Sequence, residues 1–476
     1  MLTTLRMDGS TIDLTAGRLD ELRNAVDGPV LRPGDPGWDE AVLVWNGMVE
    51  ARPALVAQPG SAHGVAAAVR FAREHELLLG IKGGGHNIAG TSLAPGGLTL
   101  DMSRMRHVHV DRNARRAHAG PGALLGDVDR ATQEHGLATV LGFVSHVGVA
   151  GLTLGGGFGY LSRRFGWTVD NLEEVDIVTA DGMLRTANRV DDADLFWAVR
   201  GGGGNFGVVT RFCYRLHEVA PSITGGLIAW SADRADVVLR IYREIVATAP
   251  RELTAVVLIR KAPPAPFVPA EWHGRSIIGL LICHSGADPE RDLAPLAAAG
   301  TPIFDTVARR PYVSQQSLLD ASDVKGNHQY WKTEYIPELT QAYCDAFRDA
   351  ALRQTSPLSY SVIFHIGGAL NERDADDGAV GNRDAQFITG FSGVWPGADA
   401  RSAEHIAWVR RSWEAIRQFS TGGNYVNFQL ADDDAVRTAA AYGSNYERIV
   451  HLKAQYDPDN LFRMNRNIVA AGAQRA

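Results

Sequence analysis

A chain of 476 residues in which 45% of the side chains are hydrophobic can fill two or three cores of ordinary size. Its formal net charge of -7 and the lack of any long basic run exclude nucleic acid or an anionic membrane surface as the main partner, which leaves a small-molecule substrate as the expected one. The three cysteines, Cys213, Cys283 and Cys344, are widely spaced in apolar or helical surroundings, suggest neither a disulfide framework nor a zinc cluster, and are expected to be buried thiols.

The first 16 residues carry Arg6, Asp8 and Asp13 and no apolar core of signal-peptide length. No later run approaches the roughly 20 residues of a membrane helix, so the chain reads as cytoplasmic. Residues 53–57 read as a strand, and Ser61 can cap a helix in which Val65, Ala68, Val69 and Ala72 share one face. Residues 77–81 return as a strand, after a crossover long enough for parallel pairing. That strand delivers Lys82-Gly83-Gly84-Gly85-His86-Asn87-Ile88-Ala89-Gly90. Three glycines in a row let bare N–H groups approach an anion such as a diphosphate, and a single imidazole at the rim suggests a bound dinucleotide with a covalent tether. A glycine-rich turn with a solvent histidine is the competing reading of this segment taken alone.

Short strands follow at 98–102, 107–110 and 174–179, the last closed by the Asp181-Gly182 turn signal. His107, His109 and His118 fall on adjacent strands and read as surface side chains. With no His-Glu-x-x-His and no Cys-x-x-Cys, no metal is expected. Gly202-x-Gly204-x-x-Gly207 matches the dinucleotide fingerprint in letters, but a helical 194–199 precedes it and a β-rich 208–214 follows. A nicotinamide fold needs the reverse order, so this reading is rejected. From about residue 218 the pattern changes. Long apolar strands at 253–259 and 276–282, with helices at 235–247 and 292–299, predict an antiparallel sheet backed by helices and an α+β fold overall. Residues 262–269 read as a proline-rich connection, and 371–382 as a loop.

The glycine loop with His86 resembles the flavin-attachment loop of the berberine-bridge-enzyme-like oxidases, in the vanillyl-alcohol-oxidase/PCMH flavoprotein superfamily. The stretches from Gly142 to Gly166 and from Leu195 to Thr210 resemble two further flavin-contacting segments. Asn424 to Phe428, Tyr442 to Arg448 and Tyr456 to Phe462 resemble the C-terminal signature of the same branch. The match is ordered and spans nearly the whole chain. It implies a PCMH-type FAD-binding domain of two subdomains at 1–217, a substrate-binding domain at 218–423, and a 424–476 segment that completes the FAD domain. It also implies FAD bound covalently through His86, and a cytoplasmic oxidase that takes a hydride from a hydroxyl-bearing carbon of a sugar or secondary metabolite and reduces O2 to hydrogen peroxide. An oxidative cyclase or desaturase, or a dehydrogenase with a non-oxygen acceptor, is the alternative.

Residue by residue, the resemblance assigns Lys82, Gly83, Gly84, Gly85, His86, Asn87 and Gly90 to the flavin site. From the second stretch it adds Val144, Val147, Gly148, Gly151, Gly155, Gly156, Gly157 and Gly159, and from the third Gly204, Asn205, Gly207 and Val209. Asn427 and Asn467 come from the C-terminal segment. Val144 stands where many relatives carry a second attachment cysteine, so a single tether is expected. Val147 stands where valine accompanies oxidase activity and leucine accompanies dehydrogenase activity. Tyr425 is the implied base, for which a buried structural tyrosine is the competing role. Phe428 and Phe158 replace phenols common in relatives, so Tyr425 is expected to act alone. Lys332, in Trp331-Lys332-Thr333, is the cation expected to lower the phenol pKa, and His365 and Asn382-Arg383 match sheet positions facing the flavin or its approach.

Overall fold

The computed structural model describes residues 1–469. Ser61 caps the predicted helix, Ala62–Glu74, its hydroxyl accepting the Gly64 N–H, a cap of the kind worth about 1 kcal/mol. Val65, Ala68, Val69 and Ala72 are fully buried along its inner face. The flanking strands, Leu55–Ala57 and Leu79–Lys82, run in parallel as expected, but they do not pair with each other. Leu98–Asp101 lies between them and pairs with both, in a four-stranded sheet completed by Val30–Leu31. Three apolar strands can share one buried sheet in several orders, and the crossover length alone does not choose among them.

A second, antiparallel sheet takes the strands Leu184–Asn188, Leu172–Val178, Val208–Arg215, Arg116–Ala119 and Val108–Asp111 in that order. The helix Ala62–Glu74 shares one hydrophobic core with both sheets, because Val178 and Val208 of the second pack with Leu79 and Leu100 of the first. His109 and His118 face each other across the outermost pair of strands. All three cysteines are buried and free.

The third sheet is antiparallel throughout, in the order Phe304–Asp305, Ser222–Ser231, Ser276–His284, Leu253–Lys261, Tyr360–His365, Phe387–Trp395, His328–Ile336, with Ala308–Pro311 beside its second strand. One face is covered by the helices Ala235–Thr248, Gln341–Ala351 and Ser402–Arg417, and holds the largest apolar core. The expected helix at 292–299 is an α-helix at Pro289–Leu293 followed by a 3-10 turn at Ala294–Ala299. The opposite face of the sheet presents Val256, Leu281 and Val362 to Val140, Tyr160 and Leu161, so it packs against the glycine-rich stretch of the N-terminal half.

The last described segment reaches the three largest cores. Leu430 enters that of the large sheet, Tyr442, Ile449 and Leu452 that of the second sheet, and Leu461 and Phe462 that of the first. Its Tyr456 to Phe462 signature is a clamp. The fully buried Lys453 ammonium donates to Asp457 (2.6 Å), to the Asn205 carbonyl (2.9 Å) and to the Phe462 carbonyl (3.0 Å), while Asp457 accepts the Leu461 and Phe462 N–H groups. Among the described residues, no helix is long and apolar enough to cross a membrane.

Candidate flavin and substrate site

The two glycine-rich loops meet backbone to backbone. A methyl group on Gly84 would lie 2.4 Å from the Gly148 nitrogen, and one on Gly148 would lie 2.3 Å from the Gly84 nitrogen. Only glycine permits this approach, and it sets His86 on one loop next to His146 and Val147 on the other. Among the described residues, the N–H groups of Gly84, Gly85, His86 and Asn87 donate to no protein acceptor, which leaves a row of donors fit for a diphosphate. The cradle therefore suits FAD, with His86 as the side chain able to hold it.

His86 lies in an aromatic and polar nest. Its ring stacks on Trp45 (5.2 Å between centroids, 24°), and its Nε2 is 3.0 Å from His146 Nδ1. His146 Nε2 is in turn 3.6 Å from the Asp323 carboxylate. Burial first, then the neighbouring His146 and Lys325, push the His86 pKa down to about 3, so the ring is neutral at physiological pH. Burial pushes Asp323 up to about 7. The neighbouring Ser145 is fastened to the same loop, its N–H and hydroxyl donating to Asp320 at 2.9 and 2.5 Å. His86, His146 and Asp323 offer ligand atoms within 4.8 Å of one another, a spacing open to a transition metal, and of their contacts only His86–His146 is a hydrogen bond.

Tyr425 is 3% exposed and lies beside the second glycine stretch. Its hydroxyl oxygen accepts the Gly157 N–H (3.0 Å) and an Asn427 amide N–H (2.9 Å). Asn427 also donates to the Leu152 carbonyl, and it fills the space over Gly155, where a Cβ would come within 2.1 Å of its oxygen. Burial raises the Tyr425 pKa above the ordinary phenol value, and the two donated hydrogen bonds pull it back. Around the phenol stand Phe158 and Phe428, edge-on at 5.1 and 4.9 Å, and Trp167 at 5.9 Å. The half-buried rings of Phe143, Phe364, Trp331 and Tyr360 continue this wall.

Two expectations fail on geometry. Lys332 and His365 do not face Tyr425. Along His328–Ile336 the side chains of Trp331 and Tyr335 point to the phenol side, so Lys332 between them points to the helix-backed face. There Asp432 (2.9 Å) and Asp433 (2.8 Å) hold its ammonium. Along Tyr360–His365, Phe364 takes the inner position and His365 the outer one, stacked on Phe387 at 5.2 Å, with burial and the nearby Arg163 holding its pKa down at about 3. Gly157 and Asn427, not a lysine, donate to the phenol, and burial outweighs them, so the expected lowering of the phenol pKa does not occur.

Other assigned residues have plain structural partners. Lys82 is buried against the Ala41 carbonyl (2.6 Å) and Asp101 (3.4 Å). Asn205 stitches the third glycine stretch to the C-terminal segment through the Arg466 carbonyl and the Ile468 N–H. Val209 pairs with Ile177 inside the second sheet, and Gly207 and Gly159 let backbone pass close to Val178 and Leu141. Gly151 and Gly204 have open space or only a distant neighbour over them, Gly90 packs on Val49, and Gly156 faces Val380. Val144 closes a turn to Val147, whose side chain is half-buried. Asn467 is exposed. Asn382 donates to the Ala440 and Ala441 carbonyls, and Arg383 forms a buried pair with Asp170 (2.8 Å).

His146, Asp323 and Trp45 were not singled out from sequence. His146 stood inside the flagged Gly142 to Gly166 stretch, but nothing local marks Asp323 or Trp45 as its neighbours.

Residues 53–188 match the model of the FAD binding domain family, and residues 424–469 match that named berberine and berberine like. An FAD-linked oxidoreductase of Dictyostelium discoideum is 29% identical over 94% of this chain and 96% of its own length. (R)-6-hydroxynicotine oxidase of Paenarthrobacter nicotinovorans is 29% identical over 94% of this chain and 98% of its own. The crystal structure of 6-hydroxy-D-nicotine oxidase from Arthrobacter nicotinovorans superposes with a TM-score of 0.82 at 27% identity, covering 96% of this chain and 99% of that one. A chitooligosaccharide oxidase shares the fold at 22% identity, with a TM-score of 0.85 over 96% of this chain and 100% of its own.

Proposed function

Because the chain belongs to the berberine-bridge-enzyme-like FAD-linked oxidoreductases of the PCMH flavoprotein superfamily, we propose that it oxidises a hydroxylated small molecule, with Tyr425 as the base and O2 as the electron acceptor. The observation that carries this reading is the Tyr425 oxygen, which accepts two donated hydrogen bonds beside the second glycine-rich stretch. FAD, when bound, takes the hydride and returns the electrons to O2 as hydrogen peroxide. The protein's part is to take the hydroxyl proton; the Gly157 and Asn427 N–H groups favour the phenolate, while burial outweighs them and holds the Tyr425 pKa above the ordinary phenol value. The surrounding rings exclude water and offer faces to an aromatic substrate.

That wall favours an aromatic secondary metabolite over a sugar as the alcohol. The name of the hydroxynicotine oxidase specifies a hydroxylated nicotine, which points the same way. An anaerobic screen for bleaching of the bound flavin tests the reading. Aromatic alcohols are expected to bleach it, and bleaching by oligosaccharides alone would reverse the substrate assignment. In the same reading residues 1–217 and 424–476, of which 470–476 lie outside the described residues, hold FAD, 218–423 hold substrate, and the protein works in the cytoplasm.

Two expected results belong here. Flavin is held once, through His86, since Val144 supplies no thiol. The yellow colour therefore stays with the acid-precipitated wild type and leaves with His86→Ala; a flavin peptide mapping elsewhere refutes this. Val147→Leu is expected to slow reoxidation of reduced flavin by O2 at least about tenfold while reduction by substrate changes little, a split that isolates the oxygen half-reaction. Equal effects on both half-reactions would make Val147 a packing residue.

A further inference from the structure

We propose that His146, oriented by Asp323, acts as the proton acceptor that makes His86 the nucleophile for its own attachment to the flavin. The inference rests on the reading that His86 is the tether. It starts from the line of three side chains, His86 Nε2 to His146 Nδ1 at 3.0 Å and His146 Nε2 to Asp323 Oδ2 at 3.6 Å.

The tautomers along this line follow once Asp323 is ionised, above the value of about 7 to which burial raises its pKa. A carboxylate accepts only, so the His146 nitrogen facing Asp323 carries the proton. His146 Nδ1 then holds a lone pair and accepts from His86 Nε2–H. His86 Nδ1 is left with its own lone pair and has no hydrogen-bond partner among the described residues, as a nucleophile requires. Trp45 stacked on the ring fixes its plane, and the Gly84–Gly148 contact fixes the two loops. Burial keeps His86 neutral, the only form with a free lone pair.

The step balances as follows. One C–N bond forms between a His86 nitrogen and the flavin 8α carbon. One proton leaves the 8α methyl group, and one leaves the imidazole for His146 Nδ1. The two electrons of the broken C–H bond enter the flavin and are taken by O2, which becomes hydrogen peroxide. His146 touches His86, and Asp323 acts through His146 as a positioning residue. Asp323 comes from the substrate-domain half, so the tether forms at its full rate only when that half is docked on the glycine loops. The Ser145–Asp320 hydrogen bonds clamp the two halves at this point.

The test uses the full-length protein loaded with FAD and measures the rate at which flavin becomes resistant to acid precipitation, independently of any turnover. His146→Gln keeps an acceptor oxygen for His86 but cannot take up a proton. It is expected to bind FAD with covalent attachment slowed about 10²-fold, the scale of a lost general base. His146→Ala is expected to behave alike and to be rescued by added imidazole, whereas His86→Ala gains nothing from imidazole. Asp323→Asn is expected to slow attachment by a smaller factor, because the nucleophile and its acceptor are both retained. Attachment of His146→Gln at the wild-type rate would overturn the proposal while leaving the tether intact. A wild type with no acid-stable flavin, or with the flavin on another residue, would instead overturn the tether reading itself. If His146→Ala does not fold, the Gln variant decides alone.

Discussion

Tyr425→Phe, in flavin-loaded protein, is expected to slow reduction of the flavin by substrate by about 10²- to 10⁴-fold, the contribution of a positioned general base. The substitution keeps the ring and its edge contacts with Phe158 and Phe428, so packing changes little. What disappears is the oxygen that accepts the Gly157 and Asn427 N–H groups. Burial sets the phenol pKa above its ordinary value, so the phenolate fraction grows as pH rises, and the wild-type reduction rate is expected to climb toward alkaline pH. The variant loses that climb. Rapid mixing under anaerobic conditions isolates the step from oxygen chemistry. A near-wild-type rate with an unchanged pH profile would remove Tyr425 from the mechanism, and His365 is no substitute because it lies on the other face of its strand.

Asp457→Ala is expected to cost about 3–5 kcal/mol of stability, the penalty for leaving a buried partner charge uncompensated. Lys453 and Asp457 are both fully buried, and Asp457 additionally satisfies two N–H groups at the turn that carries Leu461 and Phe462 into the first core. Removing the carboxylate strands an ammonium and two backbone donors together. Adding Lys453→Met on that background is expected to recover part of the loss, since no unpaired charge then remains buried. Urea unfolding of the single and double variants measures this, and strict additivity would mean that the pair is not coupled. Asp457, Leu461 and Phe462 of the Tyr456 to Phe462 signature thus have a role in folding.

The glycine loops were legible because their chemistry is local. No other residue permits the Gly84–Gly148 contact, so the letters themselves announce a backbone surface open to an anion. Element types were legible for a similar reason, since the Ser61 cap and the Val65, Ala68, Val69, Ala72 spacing follow from helical geometry alone. Which strand lies between Leu55–Ala57 and Leu79–Lys82 was decided by pairing over distance.

The active-site wall shows the same limit more sharply. Trp331-Lys332-Thr333 and Phe364-His365 lie in the right strands, but side chains alternate with a period of two. A shift of one residue moves every one of them from the phenol side to the helix side. Only the sheet's packing fixed that parity, turning Trp331 and Phe364 inward and Lys332 and His365 outward. The line from Asp323 through His146 to His86 lay further out of reach, at a crossing where the neighbouring Ser145 and Asp320 are 175 residues apart. The sequence by itself determined the glycine-rich cradle and the kinds of elements around it, and it pointed to His86 as the proposed tether. The tertiary structure alone decided which polar groups meet, because such meetings depend on register and on the docking of distant loops, and no short stretch of chain encodes either.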